Sequence, residues 1–203
     1  MAGQNKKNGK PAAVRIIAGT WKGRRIAVPA EGVRPTGDRI RETLFNWLSP
    51  SLSGARCLDL FAGSGALGIE ALSRGANSAV FVEKSRPAAR SLSDFLVTLG
   101  CRSGEIINAD AMRLNLADLG PFDVVFLDPP FDGPQIADLC KLLERTGTLA
   151  TSALVYMEMP RSQQLPALPS YWTVQKEKTA GQVRYALVSR VLNETIEQEQ
   201  DRG

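Results

Sequence analysis

The chain contains no histidine. Its absence rules out a Ser–His or Cys–His catalytic pair and any imidazole ligand for a metal. Chemistry must therefore rest on carboxylates, backbone groups or a reactive cofactor. Cysteine is scarce as well. Cys57, Cys101 and Cys140 stand roughly 40 residues apart, without the paired spacing of a zinc site or a disulfide framework. They read as reduced, partly buried thiols, and no metal is expected. No apolar run approaches the roughly 20 residues needed to span a bilayer. The lysine-rich start lacks the apolar core of a secretion signal. A cytoplasmic protein without membrane contact is the expectation. Hydrophobic residues make up 43% of the 203 and charged residues 23%, enough for one globular domain with an appendage.

The net charge of +4 conceals a segregation. Residues 1–41 hold ten Lys or Arg and only two acids, Glu31 and Asp38, a net +8, while residues 42–203 carry −4. A basic arm on a mildly acidic body suits a polyanionic partner, because each phosphate contact releases counterions. The stretch Arg15 to Arg41 is the nucleic-acid-binding candidate. Residues 1–13 read as a disordered basic tail and 194–203 as an acidic one.

Val14-Arg15-Ile16-Ile17 and Arg24-Arg25-Ile26-Ala27-Val28 flank Gly19-Thr20-Trp21-Lys22-Gly23, which predicts a small basic hairpin. Asp38 is placed to cap a helix whose apolar stripe is Ile40, Leu44, Phe45 and Leu48 and which Pro50 ends. Residues 14–50 thus form an N-terminal unit and 51–193 the main domain. There short apolar strands at 57–61, 78–82, 105–107, 122–127 and 154–159 alternate with helices at 66–74, 87–99 and 135–143, with a short one after Ala111. This implies an α/β fold, a mostly parallel sheet with helices on both faces. Two further strands, 172–178 and 183–191, are joined by Thr179-Ala180-Gly181-Gln182 as an antiparallel hairpin.

Four acids follow successive strands, where open α/β sheets bind ligands. Asp59 opens Asp59-Leu60-Phe61-Ala62-Gly63-Ser64-Gly65-Ala66-Leu67-Gly68. Its G-x-G-x-x-G pattern lets the backbone turn tightly and approach a ligand at a helix N-terminus. The pattern alone is compatible with a nicotinamide nucleotide, or with a turn that binds nothing. Asp59 would repel a pyrophosphate but suits the ammonium of S-adenosylmethionine. Glu83, 20 residues after Gly63, can accept the two ribose hydroxyls of a nucleoside. Asp110 can accept from an adenine amino group, with the Ala111 amide at the ring edge; N-capping explains Asp110 equally well. Asp128-Pro129-Pro130-Phe131 closes the fourth strand. An exocyclic base amine is a poor nucleophile, since its lone pair is delocalised into the ring. The Asp128 carboxylate and Pro129 carbonyl can each accept one of its N–H groups and stabilise the charge growing on it. The prolines fix the loop, and Phe131 can stack on the base.

With these residues the chain resembles the bacterial 16S ribosomal RNA guanine-N2 methyltransferases of the RsmD family. The likeness runs from about Val14 to Val191. It is carried by Arg15 to Arg24, by Arg34-Pro35-Thr36-Gly37-Asp38-Arg39-Ile40-Arg41-Glu42-Thr43-Leu44-Phe45-Asn46, by Cys57 to Ala76, by Asp128 to Phe131 and by Glu177 to Val183. The resemblance implies a Rossmann-like class I methyltransferase fold with a seven-stranded sheet. It implies S-adenosylmethionine as cofactor, held by Thr36, Asp59, Phe61, Ala62, Gly63, Ser64, Gly65, Glu83, Lys84, Asp110 and Ala111. It implies methylation of a guanine N2 in 16S rRNA, within the small subunit or its assembly intermediate, by a monomer. Catalysis would fall to Asp128, Pro129, Pro130 and Phe131, and the RNA to Arg15, Lys22, Arg24, Arg25, Arg34, Arg39 and Arg41, although Arg39 could equally pair with Glu42. A DNA adenine-N6 methyltransferase could use the same turn, but no target-recognition domain is evident. A non-catalytic RNA-binding scaffold is opposed by the intact Asp128 and Glu83, and a nicotinamide dehydrogenase by Asp59.

Overall fold

The computed structural model describes residues 13–27 and 37–191. Strands β1 (Ala13–Arg15) and β2 (Arg25–Ala27) pair antiparallel as the basic hairpin. Helix α1 (Asp38–Leu52) follows, and then the alternating series: β3 (Arg56–Asp59), α2 (Ala66–Ser73), β4 (Ser78–Val82), α3 (Arg86–Thr98), β5 (Gly104–Ile107), two 3-10 turns, β6 (Phe122–Leu127), α4 (Ile136–Arg145) and β7 (Leu149–Pro160). β8 (Trp172–Ala180) and β9 (Val183–Arg190) close the chain as a hairpin, joined through Gly181-Gln182.

The seven-stranded sheet runs β5-β4-β3-β6-β7-β9-β8. β3 to β7 are mutually parallel, and β9 inserts antiparallel between β7 and β8. From β3 the chain winds outward to β4 and β5, then returns to place β6 on the other side of β3. That reversal opens a crevice at the carboxyl ends of β3 and β6, the usual ligand position in such sheets. Strand side chains alternate between two cores. Cys57, Ala79, Phe81, Phe126 and Tyr156 face α1, α2 and the basic hairpin, whereas Leu58, Val80, Val125, Leu127 and Met157 face α4.

Three expectations need correction. Pro50 does not end α1, which continues to Leu52; so near the end, the missing amide costs a bond only in the last turn. Asp38 is not the cap. Gly37 holds that position, and the Asp38 carboxylate takes the Arg41 guanidinium at 2.7 Å instead. β7 begins at Leu149 rather than Leu154, because Leu149 pairs with Phe122 ahead of a register shift that breaks the alternation.

Candidate active site

The glycine loop is tight for identifiable reasons. Gly65 caps α2 with φ of 76°, a left-handed conformation costly for residues with a side chain, and a Cβ there would lie 2.4 Å from Leu92 Cδ1. Gly68 has an ordinary φ, but a Cβ would meet Phe81 Cε1 at 2.3 Å. The third glycine of the pattern therefore lets α2 lie close on β4. Ala62 donates its amide to the Val82 carbonyl at 2.9 Å, tying the loop to the end of β4. Ala62, Ser64 and Gly65 are buried, Phe61 and Gly63 half-buried.

Asp59, Glu83 and Asp128 lie close enough for their charges to interact. Asp59 accepts the Gly68 amide at 3.0 Å and exposes 2% of its surface. Burial first, then the charges of Asp128 and Glu83, push its pKa up to about 7, against the pull of the Gly68 hydrogen bond. Glu83 receives the Gly63 amide on one oxygen at 2.7 Å and the Ser85 amide on the other at 2.6 Å. It thus braces the glycine loop from the neighbouring strand. Asn108 donates to the carbonyls of Glu83 and Lys84, at 2.8 and 3.2 Å, fixing that turn from β5.

Asp110 caps the 3-10 turn Ala111–Arg113 by accepting the Met112 amide at 3.1 Å, and Lys84 Nζ lies 2.9 Å from its other oxygen. The Lys84 hydrogen bond, with the Met112 amide second, holds the Asp110 carboxyl below the usual carboxylate range. The capping role is therefore real, and Lys84 and Asp110 stand as a pair across the mouth between β4 and β5.

Beyond β6, Asp128 is half-buried, Pro129 buried and Pro130 exposed, while Phe131 exposes 47% of its surface. The Gly133 amide donates to the Pro130 carbonyl at 2.7 Å and closes the turn. A shallow cavity is lined by Pro129, Pro130 and Phe131 from the turn and by Glu158, Met159 and Pro160 at the end of β7, among others.

These residues fit S-adenosylmethionine. Gly65 and Gly68 seat the loop and α2 against Leu92 and Phe81 with no room for a Cβ, so the loop passes tightly over the end of β3. Two acids beside that loop, Asp59 and Glu83, have the charge and acceptor atoms that a cationic amino acid and a ribose diol would need. A dinucleotide pyrophosphate would meet Asp59 as a like charge.

The basic residues divide. Arg15, Lys22, Arg24, Arg25 and Arg39 are exposed, and Arg15 stands directly across from Arg25. Arg41 is different. It is 0% exposed and holds Asp38, the Arg15 carbonyl and the Glu70 carboxylate at 2.7, 2.8 and 3.4 Å. A cation so enclosed cannot meet RNA phosphates, so Arg41 leaves that set. Thr36 and Arg34 lie outside the described residues.

Sequence reasoning missed Glu70, Ser73, Tyr156 and Glu158. Glu70 sits 0% exposed and accepts the amides of Ile17 and Ala18 at 2.8 and 3.0 Å, and Arg74 at 2.7 Å. Ser73 receives the Trp21 amide at 3.0 Å and donates to the Ala18 carbonyl at 2.6 Å. The signal was there: a lone acid in the otherwise apolar helix Ala66–Ser73. Among the described residues no helix is long and apolar enough to cross a membrane.

The family model described as "Conserved hypothetical protein 95" matches residues 14–189. Ribosomal RNA small subunit methyltransferase D of Escherichia coli K12 is 48% identical over 179 residues, covering 87% of this chain and 90% of that one. The protein of the same name from Haemophilus influenzae is 48% identical over 179 residues, covering 86% and 92%. The solved structure of yhhF from Escherichia coli superposes with a TM-score of 0.81 at 42% identity, covering 90% of this chain and all of the other. The chain is a methyltransferase of the RsmD family.

Proposed function

We propose that this protein transfers the methyl group of S-adenosylmethionine to the exocyclic N2 of a guanine in 16S rRNA, in the small ribosomal subunit or its assembly intermediate. The carrying observation is the Asp128-Pro129-Pro130-Phe131 turn at the end of β6, one strand from the glycine loop and close enough to Asp59 for their charges to interact. The names of the 48% identical relatives support the rRNA substrate. The cofactor supplies an electrophilic methyl on sulfonium; everything else falls to the chain. Asp59 meets the cofactor's positive end, and Glu83 is aligned for its ribose hydroxyls by the Gly63 and Ser85 amides. Lys84 and Asp110 frame the adenine side, where Ala111 is buried beneath them. Asp128 and the Pro129 carbonyl accept the two N–H groups of the target amine. Held in this way, the amine would present its lone pair out of the base plane, and the charge that develops on it would be stabilised. Phe131 stacks on the base, a contact worth roughly 1–3 kcal/mol. The exposed hairpin cations Arg15, Lys22, Arg24 and Arg25, with Arg39, hold phosphates.

The test incubates the protein with radiolabelled S-adenosylmethionine and, in parallel, small subunits, naked 16S rRNA and DNA, then identifies the labelled nucleoside. N2-methylguanosine from the rRNA arms is expected. Label in N6-methyladenine would overturn the guanine assignment, and no label despite cofactor binding would favour a scaffold. Asp128→Ala should lower the rate at least roughly 10²–10³-fold with cofactor affinity retained. Equal activity would remove Asp128 from the mechanism.

A further inference from the structure

The Asp-Pro-Pro-Phe turn grips an amine without distinguishing guanine from adenine, so the distinction must come from a group beside it. β6 pairs with β7 in parallel from Val124 opposite Leu154 to Leu127 opposite Met157. The ladder ends there: Asp128 follows β6 directly, and Glu158 follows Met157 within β7. Alternation within β7 puts Glu158 on the face of Tyr156, whose ring meets that of Phe126 at 6.4 Å, and Asp128 lies near enough to Tyr156 to act on it by charge. Glu158 exposes 4% of its surface and lines the same cavity as Pro129 and Phe131.

Its orientation is set from below. Tyr156, fully buried, donates its hydroxyl to Glu158 Oε1 at 2.6 Å. Burial, then the Glu158 charge, keeps that phenol protonated well above the ordinary tyrosine range, so it serves as a fixed donor. A carboxylate has about four acceptor sites, so Glu158 can take a ligand donor in addition to its partners within the fold.

We propose that Glu158 determines base specificity by accepting the N1–H of the target guanine, an assignment that rests on the functional reading above. In guanine the N1–H lies next to the N2 amine, so a base whose amine is held by Asp128 presents N1–H to the acceptor beside it. Adenine in the same pose would bring the N1 lone pair against a carboxylate, an unpaired and repulsive contact.

The experiment uses small subunits reconstituted with 16S rRNA carrying either guanine or 2-aminopurine at the methylated position. 2-Aminopurine keeps the N2 amine but lacks the N1 proton. The wild-type protein should favour guanine in kcat/KM by roughly ten- to hundredfold, the range of one hydrogen bond to a charged group. Glu158→Gln keeps the tyrosine contact and can donate to an unprotonated N1. It should lose rate on guanine, gain on 2-aminopurine and bring the ratio at least tenfold closer to one, with Tm and cofactor affinity unchanged. An unchanged ratio in the variant overturns the assignment. So does a wild-type protein that treats both bases alike, a result that needs no variant to fold. Absence of guanine N2 label in wild-type subunits overturns the functional reading itself, and this assignment with it.

Discussion

At the scale of single residues, Asp59 is held in a state that a bound cation would change. Its carboxyl is buried, neighboured by two further acids, and titrates near 7 rather than at 3.8. A folded-state pKa raised above the unfolded value favours the protonated fold. The resulting stability is present at low pH and is lost as pH rises from about 4 through about 7. A cofactor whose positive end approaches Asp59 reverses the preference, so binding near pH 6 must expel a proton. Cofactor affinity should therefore climb with pH through this window and level off above 7. Titration calorimetry at pH 6 in buffers of different ionisation enthalpy should detect up to one proton released. Asp59→Asn should abolish both the release and the pH dependence; a variant that still releases the proton would place the titrating group elsewhere. Residues of this kind were legible because their positions follow strand ends, a local pattern. Arg41 was not. Its sequence neighbours are those of a basic surface helix, and its burial depends on Glu70, which is 29 residues away in the chain.

The N-terminal hairpin, as an element, has only three-residue strands and cannot stand alone. It is clamped to α2. Glu70 takes two of its backbone amides, Ser73 engages three of its backbone groups, and Gly19 lies so close that a Cβ would fall 1.7 Å from the Ser73 carbonyl oxygen. Arg41 and Arg74 balance the Glu70 charge. Removing one partner of such a buried network typically costs about 3–5 kcal/mol, so Glu70→Ala should show a lower urea midpoint. RNA affinity should fall with it, because the hairpin loses its seat, while cofactor affinity in the folded fraction stays. If RNA affinity were retained, the clamp would have no bearing on recognition. The strand–helix alternation of the main domain was readable from periodicity, since each parallel strand is a short apolar run between glycines or polar turns. The continuation of α1 past Pro50 and the early start of β7 were not. Both depend on what the segment packs or pairs against, and neither alters the local apolar pattern.

Across the whole molecule, charge is sorted by position in the fold. The crevice collects Asp59, Glu83 and Asp128, whereas Arg15, Lys22, Arg24, Arg25 and Arg39 are exposed on the hairpin and the start of α1. One feature of this arrangement is unfavourable without a partner: Arg15 faces Arg25 across the two-stranded ladder, and like charges directly opposite destabilise a pair. A phosphate between them would turn that repulsion into attraction. The sign segregation was visible in the sequence, but which cations face outward was not, because Arg41 carries the same charge and contributes nothing to the surface. This separates two classes of variant by one measurement. Binding to small-subunit rRNA should weaken linearly in log K against log salt between 50 and 200 mM, the range over which counterion release acts. Replacing Arg24 and Arg25 together by Ala should reduce the magnitude of that slope by about 1–2, with an unfolding midpoint no lower than the wild type's, because the Arg15–Arg25 repulsion is removed as well. Arg41→Ala should do the opposite: the folded protein keeps its slope, but the midpoint drops because Glu70 loses a buried partner. An unaltered slope in the double variant would show that the phosphates are held elsewhere, and would separate the basic hairpin from substrate recognition even if methyl transfer to rRNA is observed.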